Sequence, residues 1–155
     1  MLDDFTVAIA SGKLVSLIRK EAKHLATERN NDLIVVDGSP GIGCPVIASM
    51  TGADLALVVT EPTLSGRHDL DRVTKLTKHF NIPTVICINK CDINSSIVKE
   101  IRNAAHSQNL IVAGEIAYDP AVTKAQIAGK SFVEYSNGKL KGQIVSLWES
   151  ILERL

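Results

Sequence analysis

At 155 residues the chain has the length of one domain with room for a real core, and with 45% apolar but only 4% aromatic residues that core is aliphatic. Basic and acidic side chains balance at 17 each without a long like-charge block, so the charge gives no indication of a nucleic-acid or anionic-membrane surface. No stretch approaches membrane-spanning length, and the opening Met-Leu-Asp-Asp is acidic with no long apolar region after it, which sets the expectation of a soluble, cytoplasmic protein.

In chain order, residues 5–9 offer a weak strand, and Ser11-Gly12 opens a helix to about Glu28, with Leu14, Leu17, Ile18, Ala22 and Leu25 at helical spacing. Residues 33–36, Leu-Ile-Val-Val, form an apolar run without alternation, the pattern of a parallel strand covered on both faces. Asp37 ends that run and Gly38, Ser39, Pro40, Gly41, Ile42 and Gly43 follow. At the carboxyl end of a strand in an α/β sheet, a carboxylate beside glycines suits a Mg²⁺ held through water next to a phosphate. Gly41 could turn its amide toward a phosphate oxygen where a side chain would obstruct. The same residues also read as a strand followed by a turn, with Asp37 as a cap.

Residues 45–50 predict a short helix and 53–60 a second buried strand. Glu61 and Pro62 break it, and Thr63 or Ser65 can cap a helix whose expected buried stripe is Leu70, Val73, Leu76 and Phe80. Residues 84–89 form the third strong strand. Asn94, Ser95 and Ser96 cap a polar helix through His106, and a strand returns over 110–116 with Gly114 inside it. Pro120 suits the first turn of a short helix, residues 136–138 a turn, and Ile144, Leu147, Trp148, Ile151, Leu152 and Leu155 one face of a last helix. The acidic Glu149 and Glu153 favour a docking helix there over a membrane anchor. Strands separated by helices predict an α/β fold in three layers, a mostly parallel sheet with helices on both faces, in a single domain over 1–155.

Asn89, Lys90, Cys91 and Asp92 directly follow a buried strand. A carboxamide offers a donor and an acceptor on one plane and can match the N6/N7 edge of adenine. The spacing equally matches the Asn-Lys-x-Asp reader of GTPases, in which the Asp accepts from guanine, so the motif implies a purine more firmly than it chooses one. A strand end whose Asn and Asp satisfy a turn explains the same residues. Tyr118, Asp119 and Pro120 read equally well as a helix start. Neither Gly129-Lys130-Ser131 nor Gly12-Lys13-Leu14 completes the Gly-x-x-x-x-Gly-Lys-Ser/Thr phosphate cradle. Cys44, Cys87 and Cys91 form neither a disulfide framework nor a four-ligand metal set, and Cys87 reads as a small buried hydrophobe.

From Asp37 to Val46, Asp-Gly-Ser-Pro-Gly-Ile-Gly-Cys-Pro-Val resembles the MinD/ParA superfamily of P-loop ATPases, where a Walker B strand runs into a glycine-containing switch loop. It is most similar to the branch with an inserted ferredoxin domain, often labelled CobQ/CobB/MinD/ParA nucleotide-binding domain or cobyrinic acid a,c-diamide synthase. The resemblance implies a P-loop NTPase-like fold, incomplete at its N-terminus, because it covers only the C-terminal portion of such an ATPase. It implies ATP/ADP and Mg²⁺ as cofactors, with Asp37 organising Mg²⁺ and water and Gly41 beside the terminal phosphate. Gly38, Ser39, Pro40 and Gly43 would complete the switch loop. Asn89, Lys90 and Asp92 would read the base, and Asp119 and Pro120 would pass along the adenine edge, while Glu61 is expected as an exposed loop carboxylate. Without a P-loop the isolated chain is expected to hydrolyse ATP poorly or not at all. It is also expected to expose strand edges or apolar faces, relieved by homodimerisation or by a missing N-terminal P-loop half. The resemblance further implies partners in iron–sulfur or redox protein handling. Two rival readings remain: an ATP-dependent amidoligase of the cobyrinic acid a,c-diamide synthase type, and a non-catalytic assembly module.

Overall fold

The computed structural model describes residues 12–155, so the strand expected at 5–9 lies outside the described residues. The chain divides into two compact units with the boundary between Ala53 and Asp54, and each is taken by itself.

The second unit is built on three strands, β1 (Ala56–Thr60), β2 (Thr84–Asn89) and β3 (Ile111–Ile116), in the order β1-β2-β3 and all parallel. Parallel neighbours need long crossovers, and helices supply both: α3 (Leu64–His79) joins β1 to β2, and α4 (Ser95–Ser107) joins β2 to β3. The central strand, Thr-Val-Ile-Cys-Ile-Asn, is buried from Val85 to Ile88. Its side chains alternate between two cores. Ile86 and Ile88 pack with Leu70 of α3 and with Ile97, Val98, Ile101 and Ala105 of α4. Val85 and Cys87 face the other way, onto Leu147 and Ile151 of the last helix, α7 (Lys139–Leu152). Helices therefore cover both faces, which gives the expected three layers. Ile86, Ile88 and Ile101 are fully buried, each contributing about 1.5–3 kcal/mol of hydrophobic stabilisation.

Three expectations are corrected here. The helix after β2 was expected to be polar, yet α4 buries four residues against the sheet, because its apolar side chains recur at 97, 98, 101 and 105 on one face. The buried stripe of α3 runs through Leu70, Thr74 and Thr77 rather than through Phe80. The two threonines bury without penalty because their hydroxyls donate to the carbonyls of Leu70 (2.9 Å) and Thr74 (3.1 Å). In α7 the apolar set divides: Leu140, Leu147 and Ile151 are buried, while Trp148, Leu152 and Leu155 are exposed. Between β2 and β3 the register passes from Ile86↔Val112 to Cys87↔Gly114, a bulge that leaves Ala113 without a Cα partner. Two short helices, α5 (Ala121–Ile127) and α6 (Phe132–Tyr135), lie between β3 and α7.

The first unit holds α1 (Gly12–Glu28) and α2 (Cys44–Met50). Arg19 braces them, its guanidinium donating to the carbonyls of Ala48 (3.1 Å) and Thr51. The strand expected at 33–36 is not formed: these residues enter no ladder, and Leu33 (40%), Ile34 (38%), Val35 (74%) and Val36 (39%) stand exposed. A parallel strand exists only through hydrogen bonds to a neighbour, and no described residue supplies one to this segment.

Candidate functional site

Parallel strands send all their carboxyl ends to one edge of the sheet, and the loops leaving that edge are where α/β folds place ligands. Here the carboxyl ends of β1, β2 and β3 and the loops that leave them carry Glu61, Asn89 to Asp92, and Tyr118 to Pro120.

The first loop is tightly turned. Thr60 is buried and its hydroxyl donates to the Gly66 carbonyl (3.0 Å), while Thr63 caps α3 by accepting the Gly66 N–H (2.9 Å). Gly66 is the one residue type that fits, since a Cβ there would lie 2.4 Å from the Glu61 carbonyl oxygen.

In the second loop the Asn89 carboxamide oxygen accepts the Lys90 N–H (3.0 Å), which fixes the amide plane. No described residue accepts from its NH₂ group. Lys90 takes a left-handed backbone (φ 53°), and the Ile93 N–H closes the turn on its carbonyl (3.1 Å). The Cys91 N–H donates to the Ile116 carbonyl (3.0 Å), carrying the β2–β3 pairing past the end of the strand. That extension delivers Asp92 to the third loop, where its Oδ1 accepts the Tyr118 N–H at 2.7 Å. The Asp119 Oδ1 accepts the Ala121 N–H (2.8 Å) just before α5, and Pro120 is the N-cap with φ −62°.

The structure therefore brings Asn89, Lys90, Asp92, Asp119 and Pro120 to one sheet edge. It adds Glu61, expected as an exposed loop carboxylate: its side chain is 41% exposed and its Oε1 lies 2.6 Å from Lys90 Nζ. Both side chains are partly exposed, so the pair contributes at most about 1 kcal/mol. The signal for this pairing was present in the register. Thr60 pairs with Ile88, so the residues that follow each strand leave the sheet side by side.

The loop 37–43 belongs to the first unit, and every residue in it is exposed. Gly41 has φ +92°, the left-handed region that favours glycine, with open space where a Cβ would stand. Gly38 lies close to Ser49, and Gly43 caps α2, its carbonyl accepting the Ile47 N–H (3.1 Å). Asp37 is exposed, and among the described residues no group of three or more His, Cys, Asp or Glu could hold a metal ion. Mg²⁺ does not require such a group, since it keeps several waters and takes one or two carboxylates alongside phosphate oxygens.

Gly129-Lys130-Ser131 links two helices. Gly129 (φ +63°) follows the end of α5, and Ser131 caps α6 in a reciprocal pair with Glu134, whose carboxyl is lowered by the Ser131 hydroxyl and N–H. Of the thiols, Cys44 is exposed. Cys87 is buried and its thiol is pushed up to about 11 by desolvation, while Cys91 is raised mainly by desolvation and then by Glu115.

No protein-family model matches the sequence. The chain is 34% identical over 143 residues to the uncharacterized protein MJ0578 of Methanocaldococcus jannaschii, covering 92% of this chain and 46% of that one. A second protein of that organism, the uncharacterized protein MJ0579, is 29% identical over 117 residues, 76% of this chain and 39% of the relative. The chain thus spans less than half the length of the curated relatives it matches. Among solved structures it is similar to the cell division ATPase MinD of Pyrococcus furiosus, with a TM-score of 0.73 at 20% identity over 94% of this chain and 60% of that one. MinD of Pyrococcus horikoshii complexed with Mg-ADP gives 0.64 at 19% identity (74% and 48% covered). A ParA family ATPase of Chlorobium tepidum gives 0.56 at 20% (72% and 47% covered). What this likeness establishes is the fold: the chain has the α/β, P-loop NTPase-like fold of the MinD and ParA ATPases, over about half of their length.

Proposed function

We propose that this chain is an adenine-nucleotide-binding domain of the MinD/ParA kind, reading the purine at the carboxyl edge of the β1-β2-β3 sheet. The observation that carries the reading is Asn89: its amide plane is fixed by its own loop, its NH₂ group has no described acceptor, and it stands where such sheets take ligands. MinD of Pyrococcus horikoshii, which shares the fold, is described as a complex with Mg-ADP, and that supports ATP or ADP with Mg²⁺ here. Within the first unit, Asp37 is proposed as the carboxylate toward Mg²⁺, with Gly41 and its neighbours as the switch loop. When bound, Mg²⁺ would supply neutralisation of phosphate charge. The residues of the chain hold and orient, and hydrolysis is not expected of it, because no Gly-x-x-x-x-Gly-Lys-Ser/Thr cradle stands in its 155 residues.

A second copy, or a chain bearing a P-loop, is proposed at the outer edge of β1. Among the described residues that strand pairs with β2 only, and its Leu57 (38%) and Val59 (58%) are exposed. The redox-protein partner is carried by the sequence resemblance alone.

The test is calorimetry of MgATP and MgADP with the full chain. The expected result is binding that Asn89→Ala weakens about tenfold, on the order of 1.4 kcal/mol, and that Asp37→Ala weakens only when Mg²⁺ is present. Adenine-nucleotide affinity unchanged in Asn89→Ala would overturn the reading.

A further inference from the structure

Helix α7 carries two seams, and the sheet uses one of them. Leu140, Ile144, Leu147 and Ile151 recur at spacings of four, three and four, and Leu147 and Ile151 pack on Val85 and Cys87 of β2. One position further along, Lys141, Val145, Trp148 and Leu152 repeat that spacing, and here Val145, Trp148 and Leu152 are all exposed. Residues spaced in this way line one side of a helix, and an apolar line of this period is the seam along which two helices pair. We propose that a second copy of this chain covers the outer seam, its α7 lying antiparallel to the first about a two-fold axis. This surface is separate from the strand edge of β1 and does not depend on the nucleotide reading.

Charge selects both the occupant and the direction. Lys139 and Lys141 stand at the start of α7, and Glu149 and Glu153 toward its end. A parallel pair would set like charges side by side, whereas an antiparallel pair sets the lysines of each copy against the glutamates of the other. Among the described residues Lys139, Lys141 and Glu149 enter no ion pair, and Glu153 has only Arg154 Nη1 at 3.9 Å. Lys141 Nζ donates to a neutral group, Asn137 Oδ1, at 3.0 Å. The register that layers Val145 on Trp148 of the second copy also layers Lys141 on its Leu152 and brings both lysines level with its two glutamates. Two-fold symmetry then repeats every contact, so one chain carries both halves of the interface. Exposed ion pairs contribute little, so they set the direction while the apolar seam supplies the adhesion. A seam of four residues per copy is smaller than a standard interface, which puts the dissociation constant on the order of 10–100 μM. An anionic bilayer fits the seam less well, because glutamates flank it.

The experiment is sedimentation of the full chain carrying Val59→Lys, so that the strand edge contributes nothing, from about 10 μM to 1 mM. Emission of Trp148, the one tryptophan, is read in the same samples. The expected result is a monomer–dimer equilibrium, with that emission moving to the blue as dimer forms. Lys141→Glu and Glu149→Lys should each weaken association at least about threefold. The two together should restore it, since the exchange keeps the copies complementary. Both exchanges suit the helix dipole, so lost association is not lost folding. Trp148→Lys should abolish the dimer. A chain that stays monomeric at the highest concentration would overturn the inference, as would a dimer indifferent to Trp148→Lys or a double exchange no tighter than the single ones. Trp148-dependent binding to phosphatidylglycerol vesicles without self-association would assign the seam to a membrane instead and overturn it equally.

Discussion

Cys87 shows how a single position records its surroundings. Desolvation raises its thiol to about 11, so the folded chain keeps that proton where an exposed thiol would lose it. In the unfolded chain Cys87 ionises in the ordinary range near 9.0, so the unfolded state binds fewer protons between there and about 11. Stability therefore falls as pH rises through that window. Urea midpoints should decline across it in the native chain, and Cys87→Ala should shallow the decline. At neutral pH a thiol reagent should modify the exposed Cys44 first and leave Cys87 until unfolding. Gly66 makes a second prediction at this scale. Alanine there meets the Glu61 carbonyl at 2.4 Å, a backbone atom that cannot swing aside. Gly66→Ala should destabilise the domain by about 1–3 kcal/mol despite the better helix propensity of alanine, as read from denaturant midpoints.

Elements show where sequence patterns suffice and where they stop. The strands β1, β2 and β3 and the helices α1, α3, α4 and α7 were legible as elements from apolar runs and helical spacing, but their burial was not. In α1 the spaced Leu17 (55%), Ile18 (58%) and Leu25 (44%) are exposed and Ala26 is the buried residue, and in β1 Leu57 and Val59 are exposed. Asn94, Ser95 and Ser96 make the start of α4 polar, whereas Ile97, Val98, Ile101 and Ala105 make the core contact. Truncating the fully buried Ile101 to alanine should cost about 2–5 kcal/mol in denaturant melts. Removing the Thr63 cap should cost only about 1 kcal/mol. Residues 33–36 have the composition of a buried strand and pair with no strand among the described residues, and periodicity cannot reveal a partner. The site was legible to the same extent. Asn89 and Asp92 were found from their place after a strand, but the bonds from Asp92 to Tyr118 and from Lys90 to Glu61 depend on register, which a single sequence does not display.

At the scale of the whole chain, the second unit is a three-layer α/β fold in which, among the described residues, β1 pairs with β2 only, and among the described residues no helix is long and apolar enough to cross a membrane. The outer edge of β1, with Leu57 and Val59 exposed beside it, is proposed to pair with another chain. Sedimentation should show concentration-dependent association that Val59→Lys reduces, since a charge on an edge strand opposes pairing. The central claim is that the carboxyl edge of the sheet receives an adenine nucleotide, and the most direct test is amide chemical-shift mapping of the ¹⁵N-labelled chain during an AMP titration, which removes any contribution from β- and γ-phosphates. The account predicts shifts concentrated at Asn89 to Asp92 and at Ala117 to Ala121, with Ile97 to Ala105 unmoved. Saturable shifts that leave Asn89, Lys90 and Tyr118 untouched would contradict it.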